Sequence, residues 1–183
     1  MTLVATPWQT VGPFYSIGLT WLGGEDLAPG LPDAIEIAGQ VLDGDGAVVP
    51  DAVVEIWQAD PDGRYPHPAD RRNQAVTPGF RGFGRCGTES GGFRFRTLKP
   101  GRVPGEGGLQ APHILVGVLA RGLLRRVTTR LYFAGDTANA ADAVLAEVPP
   151  ARRQTLMARP QGGGRYHWDI RLQGPEETVF FAF

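Results

Sequence analysis

Short runs of apolar residues, separated by glycine and proline, recur along the chain and predict an all-β core. In Phe93-Arg94-Phe95-Arg96 the apolar and charged residues alternate, which places both phenylalanines on one face of a strand. The 26 glycines and 16 prolines supply turn signals between the runs. Several short strands joined by turns favour a β-sandwich of mostly antiparallel strands with long loops. The predicted strands are residues 35–42, 53–59, 93–96, 113–120, 127–133 and 166–173.

Other segments break this strand pattern. Residues 137–148 are alanine-rich without Gly or Pro, and residues 151–159 are similar, so we predict one or two short surface helices. Residues 1–32 show no clear period and predict an extended arm, and residues 101–108 predict a glycine-rich loop. The apolar ending, residues 178–183, is expected to pack either on its own core or on a neighbouring chain.

Length and composition indicate one globular domain over residues 1–183. The chain is 42% hydrophobic and 20% charged, which excludes a disordered chain. Its formal net charge of −1 gives no support for nucleic-acid binding. No apolar run approaches the roughly 20 residues that span a bilayer, and the first residues do not have the pattern of a signal peptide.

The single cysteine, Cys86, excludes an internal disulfide and any metal site built from several cysteines. A reducing cytoplasm is consistent with this usage. Cys86 could be a reactive thiol, but a small buried hydrophobic residue is the more common role of a lone cysteine.

Six motifs occur in a fixed order and carry a resemblance to a known family. They are TVGPFY from Thr10, VEIWQAD from Val54, DGRY from Asp62, TLKPG from Thr97, APHI from Ala111 and TRLYF from Thr129. With these motifs the chain resembles the intradiol ring-cleaving dioxygenases over nearly its whole length. The resemblance implies a β-sandwich and a non-haem Fe(III) held by two tyrosines and two histidines.

Two of the four ligand positions implied by the resemblance hold residues that cannot bind a metal. Tyr65 matches the first tyrosine and His113 the first histidine, whereas Val103 and Leu115 stand in place of the other two ligands. We call these four residues the vestigial centre. Aliphatic side chains have no lone pairs to donate, so we expect no catalytic residue and no metal in this chain alone. An arginine usually stands three residues before the first histidine, and here that position is Gln110.

Some members of this family combine two homologous chains, and the resemblance places this chain with the one that lacks iron. In such members the β chain holds Fe(III), and the α chain keeps the fold without the ligand set. The ending GPEETVFFAF from Gly174 is similar to that of α chains. The implied partner is a homologous β chain in a higher αβ oligomer, and the implied reaction is cleavage of a carboxylated catechol by O2.

The resemblance also implies which residues of this chain approach the substrate. Thr10, Gly12 and Pro13 would line the cavity, with Tyr15 nearby, because glycine admits close approach of a ring and proline fixes the backbone. Arg130 would reach toward the cavity, where a guanidinium can pair with a carboxylate. Without the resemblance, Gly12-Pro13 is a simple turn and Arg130 a surface or interface ion pair.

Two other functions remain open from the sequence. A divergent, self-sufficient intradiol dioxygenase could recruit other ligands such as His67 or His167, although no His-x-His spacing is present. A non-catalytic β-sandwich scaffold or binding module is the second alternative, because a fold alone does not fix a function. The presence of Tyr65 and His113 counts against a scaffold, because a scaffold has no need for either residue.

Overall fold

The computed structural model describes residues 4–12, 14–21, 23–72 and 75–182. Pro13, which is predicted to line the substrate cavity, and Phe183 of the apolar ending lie outside the described residues. Strands predominate in the described part, and the prediction of an all-β fold is confirmed. The strands are β1 (Ile35–Gly39), β2 (Val41–Leu42), β3 (Val53–Trp57), β4 (Phe83–Gly87), β5 (Phe93–Thr97), β6 (Val103–Gly105), β7 (Gly108–Gln110), β8 (His113–Leu119), β9 (Val127–Phe133), β10 (Met157–Gly162), β11 (Arg165–His167) and β12 (Ile170–Arg171). The helices are α1 (Tyr15–Leu19), α2 (Ala143–Glu147) and the 3₁₀ helices Thr137–Ala141 and Pro150–Leu156.

Eight of the described strands form one hydrogen-bonded sheet in the order β4-β3-β8-β9-β10-β11-β1-β5. The edge strands β4 and β5 contact each other, so the sheet is nearly closed around the main core. Most pairings are antiparallel, as predicted, whereas β1 with β11, β9 with β10 and β2 with β12 are parallel. The pairs β2–β12 and β6–β7 form two small separate ladders.

Both faces of β9 are buried, and this positions the vestigial centre. Leu131 and Phe133 point into the main core. Tyr132, between them, points to the other face, where a second apolar cluster forms under α2. The strand therefore separates the main core from a second face on which polar side chains are also buried. The second cluster consists of Ala111, Tyr132, Leu145, Val148 and Leu156.

The predicted helix over residues 151–159 is wrong at its C-terminal end. The 3₁₀ helix ends at Leu156, and β10 begins at Met157. Met157 and Ala158 pair with the end of β9, and Ala158 is fully buried. Sheet pairing and burial therefore outweigh the helix propensity of alanine and arginine.

Three other predicted elements are divided in the structure. The strands predicted over residues 35–42 and 166–173 both break where the Gln40 amide donates a hydrogen bond to Asp169 Oδ1 at 2.9 Å. The helix predicted over residues 137–148 breaks at Asp142, whose side chain caps α2 by accepting from the Leu145 amide. The predicted glycine-rich loop contains β6, which forms a hairpin with β7.

The two ends of the described chain behave differently. The Phe181 amide donates to the Thr128 carbonyl at 2.8 Å, and Phe180 packs against the main core, so the tail packs on its own chain as far as Phe181. In the arm, Leu27 and Ala28 are fully buried in the main core. Most of the described residues before them are partly or fully exposed, and α1 buries Ser16. No helix among the described residues is both long and apolar enough to cross a membrane.

Candidate functional site

Tyr65, the first position of the vestigial centre, follows a turn that the buried carboxylate of Asp60 holds together. Asp60 is fully buried, and its oxygens accept hydrogen bonds from the backbone amides of Asp62, Arg64 and Thr77 at 2.9–3.0 Å. Aspartate commonly satisfies the amides of a turn in this way. Tyr65 is therefore presented by a well-defined loop.

This loop packs tightly against the segment that carries Val103. A Cβ atom at Gly63 would lie 2.0 Å from the Arg102 carbonyl oxygen, so the close approach requires glycine. As a result, Tyr65 and Val103 line one cavity of about 550 Å³. The other residues that line this cavity are Trp57, His67, Ala69, Asp70, Arg72 and Pro104.

The strands place the remaining positions of the vestigial centre on one face of the sheet. Leu115 of β8 lies between Trp57 of β3 and Arg130 of β9 in the antiparallel ladder. His113 lies two residues before Leu115 and shares its face. The Tyr65 ring stacks on Trp57 with 5.6 Å between the ring centroids. The structure thus brings the vestigial centre and Arg130 together.

His113 is buried and neutral at pH 7. Only 8% of the residue is exposed, and its Nδ1 lies 2.8 Å from the Ala111 carbonyl oxygen. Because a carbonyl oxygen only accepts hydrogen bonds, Nδ1 carries the proton and Nε2 keeps the lone pair. Burial, and secondarily the positive charge of Arg130, lowers the pKa of His113 from its ordinary value of 6.5.

Arg130 contributes a positive charge to this face. Its Nη1 donates to Gln110 Oε1 at 3.0 Å and lies 3.5 Å from the Tyr132 hydroxyl. Burial raises the pKa of Tyr65, and the charge of Arg130 opposes part of that rise. The same charge lowers the pKa of His113, so Arg130 acts on both donor residues that the vestigial centre retains.

Tyr132 and Asp142 extend this network into the second apolar cluster. The Tyr132 hydroxyl donates to Asp142 Oδ1 at 3.1 Å, and the buried carboxylate also accepts from the amides of Ala111 and Leu145 at 2.7 and 2.8 Å. Burial is the main cause that raises the pKa of Tyr132 to about 12, so this phenol remains a donor at neutral pH. Asp142 thereby fixes Tyr132 beside the guanidinium of Arg130.

These side chains do not fit the Fe(III) of the family. Only Tyr65 and His113 offer donor atoms, because Val103 and Leu115 are aliphatic. The cross-strand neighbour of Leu115 is Arg130, whose side chain offers no lone pair to a metal either. Within the part of the chain that the structure describes, no group of three or more His, Cys, Asp or Glu side chains could hold a metal ion.

The arm residues make contacts at a different place. Thr10 Oγ1 accepts a hydrogen bond from the Gly122 amide at 2.9 Å. The Tyr15 hydroxyl donates to the carbonyl oxygens of Asp51 and, at 3.2 Å, Leu119. Burial is the first cause that raises the pKa of Tyr15 to about 12. Tyr15 therefore anchors the arm on its own chain through its hydroxyl.

The predicted substrate residues do not come together within this chain. Leu119, beside the arm, is six residues from His113 on β8, which corresponds to about 20 Å of extended strand. Thr10, Gly12 and Tyr15 lie near the Leu119 end of this strand, whereas Arg130 lies near the His113 end. The described arm residues therefore lie apart from Arg130 in this chain.

Two parts of the network around Arg130 were not predicted. Asp142 interrupts an alanine-rich segment, and an aspartate directly before an apolar helical run is a typical N-cap. That signal could have located it. The bond between Gln110 and Arg130 joins two strands that are 20 residues apart in sequence, and a single sequence contains no signal for such a contact.

The other candidate side chains have ordinary surroundings. His67 lies edge-on to Trp57 with 5.8 Å between the ring centroids, at the rim of the Tyr65 cavity. His167 is half-exposed and lies 3.1 Å from Asp169. Cys86 is partly buried against the main core, and burial raises the pKa of its thiol, which favours a packing role.

Acidification is expected to destabilise the chain through His113. Because the pKa of His113 is lower in the folded chain, its contribution is complete above the unfolded value near 6.5 and is lost as pH falls toward the folded pKa. His113 contributes at most about 1.4 kcal/mol per pH unit to the slope of the free energy of unfolding against pH. Urea unfolding of the wild type and His113→Asn between pH 7.5 and 5.5 measures it.

The control for this prediction is His167→Asn, because the His167 side chain is 50% exposed. This substitution removes an exposed imidazole and leaves His113 in place. Parallel stability curves for the wild type and His113→Asn would show that the proton affinity of His113 does not change on folding.

Comparison with known proteins gives a consistent family relationship. Residues 24–174 match the family model Dioxygenase_C, described as dioxygenase. The chain is 44% identical to a protocatechuate 3,4-dioxygenase alpha chain of Burkholderia cepacia, over 98% of both chains. It is 35% identical to a protocatechuate 3,4-dioxygenase beta chain of the same organism, over 81% of this chain and 68% of that one.

The fold is likewise similar to a solved structure. The dioxygenase domain of a dioxygenase–carbohydrate-binding fusion from Streptomyces sp. SirexAA-E superposes with a TM-score of 0.58 and 28% identity, over 82% of this chain and 88% of that one. The similarity therefore includes the arrangement of the strands as well as the sequence.

Proposed function

This chain belongs to the intradiol ring-cleaving dioxygenase family, and we propose that it is the iron-free α subunit of a protocatechuate 3,4-dioxygenase. Two observations together support this proposal. The chain is similar to an alpha chain over 98% of its length, and aliphatic residues stand at the ligand positions Val103 and Leu115. The partner is a homologous β chain, and the Fe(III) of that chain supplies the chemistry of ring opening. The assembly cleaves protocatechuate with O2, between the two hydroxyls, to 3-carboxy-cis,cis-muconate.

In this proposal the arm forms one wall of the substrate cavity of the partner. Thr10, Gly12 and Pro13 line it, and Tyr15 holds the arm in place through its hydroxyl. Gly12 is exposed, and a Cβ atom built there meets no atom of the described residues within 4 Å, so an aromatic ring can approach closely. A closed wall also excludes water from the reacting ring.

The arm also presents apolar side chains that suit a subunit interface. Trp8, Phe14 and Ile17 are 72%, 76% and 75% exposed in the isolated chain. Aromatic residues are enriched at the centres of protein interfaces, where burial against a partner stabilises the complex. We assign this surface to the contact with the β chain, within a higher αβ oligomer.

We propose that the positive charge of Arg130 helps to attract the substrate. Its guanidinium is bonded to Gln110 within this chain. A guanidinium carries a fixed positive charge, which favours the approach of an aromatic acid, an anion at neutral pH.

Iron content and turnover of the separate and mixed chains test this function. We expect the purified chain to be colourless, to contain no stoichiometric iron and to leave protocatechuate unchanged. Mixed with the β chain, it should co-purify in an assembly that consumes protocatechuate and O2 faster than the β chain alone. Iron is measured by elemental analysis and turnover by O2 uptake.

Either of two results would contradict the proposal. Stoichiometric iron, visible colour and turnover in the isolated chain would indicate a self-sufficient dioxygenase. A chain that neither binds the β chain nor changes its turnover would indicate a scaffold.

A further inference from the structure

The connection between β8 and β9 holds the arm on one side of Gly12. Thr10 Oγ1 accepts a hydrogen bond at 2.9 Å from the amide of Gly122, which lies in this connection. The turn there is well defined, because the Leu123 amide donates to the Ala120 carbonyl at 3.2 Å and Gly122 has a φ of +88°, which favours glycine. The arm is therefore attached to a defined turn just before Gly12.

The Tyr15 hydroxyl holds the arm on the other side of Gly12. It donates to the carbonyl oxygens of Asp51 and Leu119, so it contacts two neighbouring strands at once. The ladder of β3 and β8 ends at the pair Val53–Leu119, and Asp51 lies just before β3 begins. The second attachment is therefore made to the end of the ladder from which the β8–β9 connection leaves.

An ion pair joins these two attachment points. Arg121 Nε donates to Asp51 Oδ2, and Arg121 directly precedes Gly122 in the turn. Asp51 thus bonds to Tyr15 through its carbonyl oxygen and to the turn through its carboxylate. We call Asp51 and residues 119–122 the arm seat, because they carry both attachments of the arm.

The seat restricts the segment that contains Gly12. A segment fixed at both ends has fewer backbone conformations than one fixed at a single end, because closing a loop removes conformational freedom. Gly12 is exposed, and its carbonyl accepts from the Tyr15 amide at 3.4 Å. Its position in this chain therefore depends on the attachments beside it and not on burial.

We propose that the arm seat sets the position of the cavity wall, and that Tyr15, Asp51 and Arg121 are positioning residues for the reaction of the assembly. The inference rests on the proposed function, in which the arm lines the substrate cavity of the β chain. Such positioning matters because a displacement of bound substrate by about 1 Å can lower the rate about 100-fold. Tyr15 acts here through its own chain, since its hydroxyl is bonded to the seat.

The kinetics of the assembly with the β chain test this inference. We expect Tyr15→Phe, which removes only the hydroxyl, to lower kcat/KM for protocatechuate by about tenfold. Arg121→Gln should lower it by about threefold, because an ion pair of an exposed side chain is weak. Arg121→Lys should lose less than Arg121→Gln, because lysine keeps the charge opposite Asp51.

Arg125→Gln is the matched control for the substitutions of Arg121. Arg125 is exposed in the same connection, and among the described residues its side chain has no ion pair or hydrogen bond. The substitution should leave kcat/KM unchanged. Equal losses in Arg121→Gln and Arg125→Gln would overturn the inference.

Two further readouts separate positioning from partial unfolding. The ratio of kcat/KM for protocatechuate to that for catechol does not depend on the amount of active assembly. A displaced wall should lower this ratio by about threefold or more in Tyr15→Phe, because specificity is a difference in transition-state binding. In the isolated full-length chain, the same substitution should speed amide hydrogen exchange at Thr10 and Gly12, because local opening becomes easier.

Three results with Tyr15→Phe would each contradict the role of the seat. They are kcat/KM equal to that of the wild type, a lower kcat/KM with an unchanged substrate ratio, and unchanged hydrogen exchange in the arm. A wild-type chain that neither binds the β chain nor changes its turnover would instead contradict the proposed function, so the two failures are distinguishable.

Discussion

Gly63→Ala is expected to destabilise the chain by at least about 3 kcal/mol and to loosen the vestigial centre. Gly63 has a φ of +75°, which a residue with a Cβ rarely adopts, and a Cβ atom would lie 2.0 Å from the Arg102 carbonyl oxygen. The obstacle is backbone and cannot move like a flexible side chain. Because this contact sets the distance between the Tyr65 loop and the Val103 segment, relief of the clash must separate them.

Gly30→Ala is the matched control for this substitution. Gly30 has a φ of +73°, but a Cβ atom there meets nothing within 4 Å. It should cost only the left-handed backbone penalty of about 1–2 kcal/mol. Urea unfolding with an unchanged dependence on denaturant gives both values. Equal losses for the two variants would show that the contact with Arg102 is not tight in solution.

The strands with alternating side chains could be predicted from sequence, and those without alternation could not. Phe93 and Phe95 are buried on β5 as their spacing indicates. β4 has the sequence Phe-Gly-Arg-Cys-Gly, which contains no regular apolar pattern, and it is a strand because it pairs along the whole of β3. β10 has a helix-favouring start and becomes a strand through its pairing with β9.

The missing ligands could be predicted because metal binding requires particular atoms at particular positions. The surroundings of Arg130 could not, because they depend on the register between β8 and β9 and on a side chain of β7. The same limit applies to the arm. The distance between the arm and the vestigial centre follows from the length of β8, and the sequence of residues 1–32 carries no information about that length.

The retention of Tyr65 and His113 has a structural explanation in this chain. Tyr65 stacks on Trp57, and His113 bonds to the Ala111 carbonyl and packs on Tyr132. Both residues therefore stabilise the fold without a metal. Their presence does not distinguish a subunit of an enzyme from a scaffold, contrary to the expectation from sequence, and the arm provides a sharper distinction.

Gly12→Val is expected to lower kcat/KM of the assembly with the β chain by about 10- to 100-fold, because displacement of a bound substrate by about 1 Å can have an effect of this size. In the isolated chain the change should alter the free energy of unfolding by less than about 0.5 kcal/mol. A Cβ atom at Gly12 meets no atom of the described residues within 4 Å, and the φ of Gly12 lies outside the left-handed region. Valine favours the extended backbone that is also preferred before proline.

Any loss of turnover must therefore arise from what the partner and the substrate place against Gly12. Gly12→Ala should give an intermediate loss, since the added volume is smaller. Size-exclusion chromatography and iron analysis establish whether the assembly and its metal content are intact. With both intact, unchanged kcat/KM in Gly12→Val would remove the arm from the cavity wall. Failure to assemble would instead place Gly12 in the subunit contact, because the isolated chain has free space for the added methyl groups.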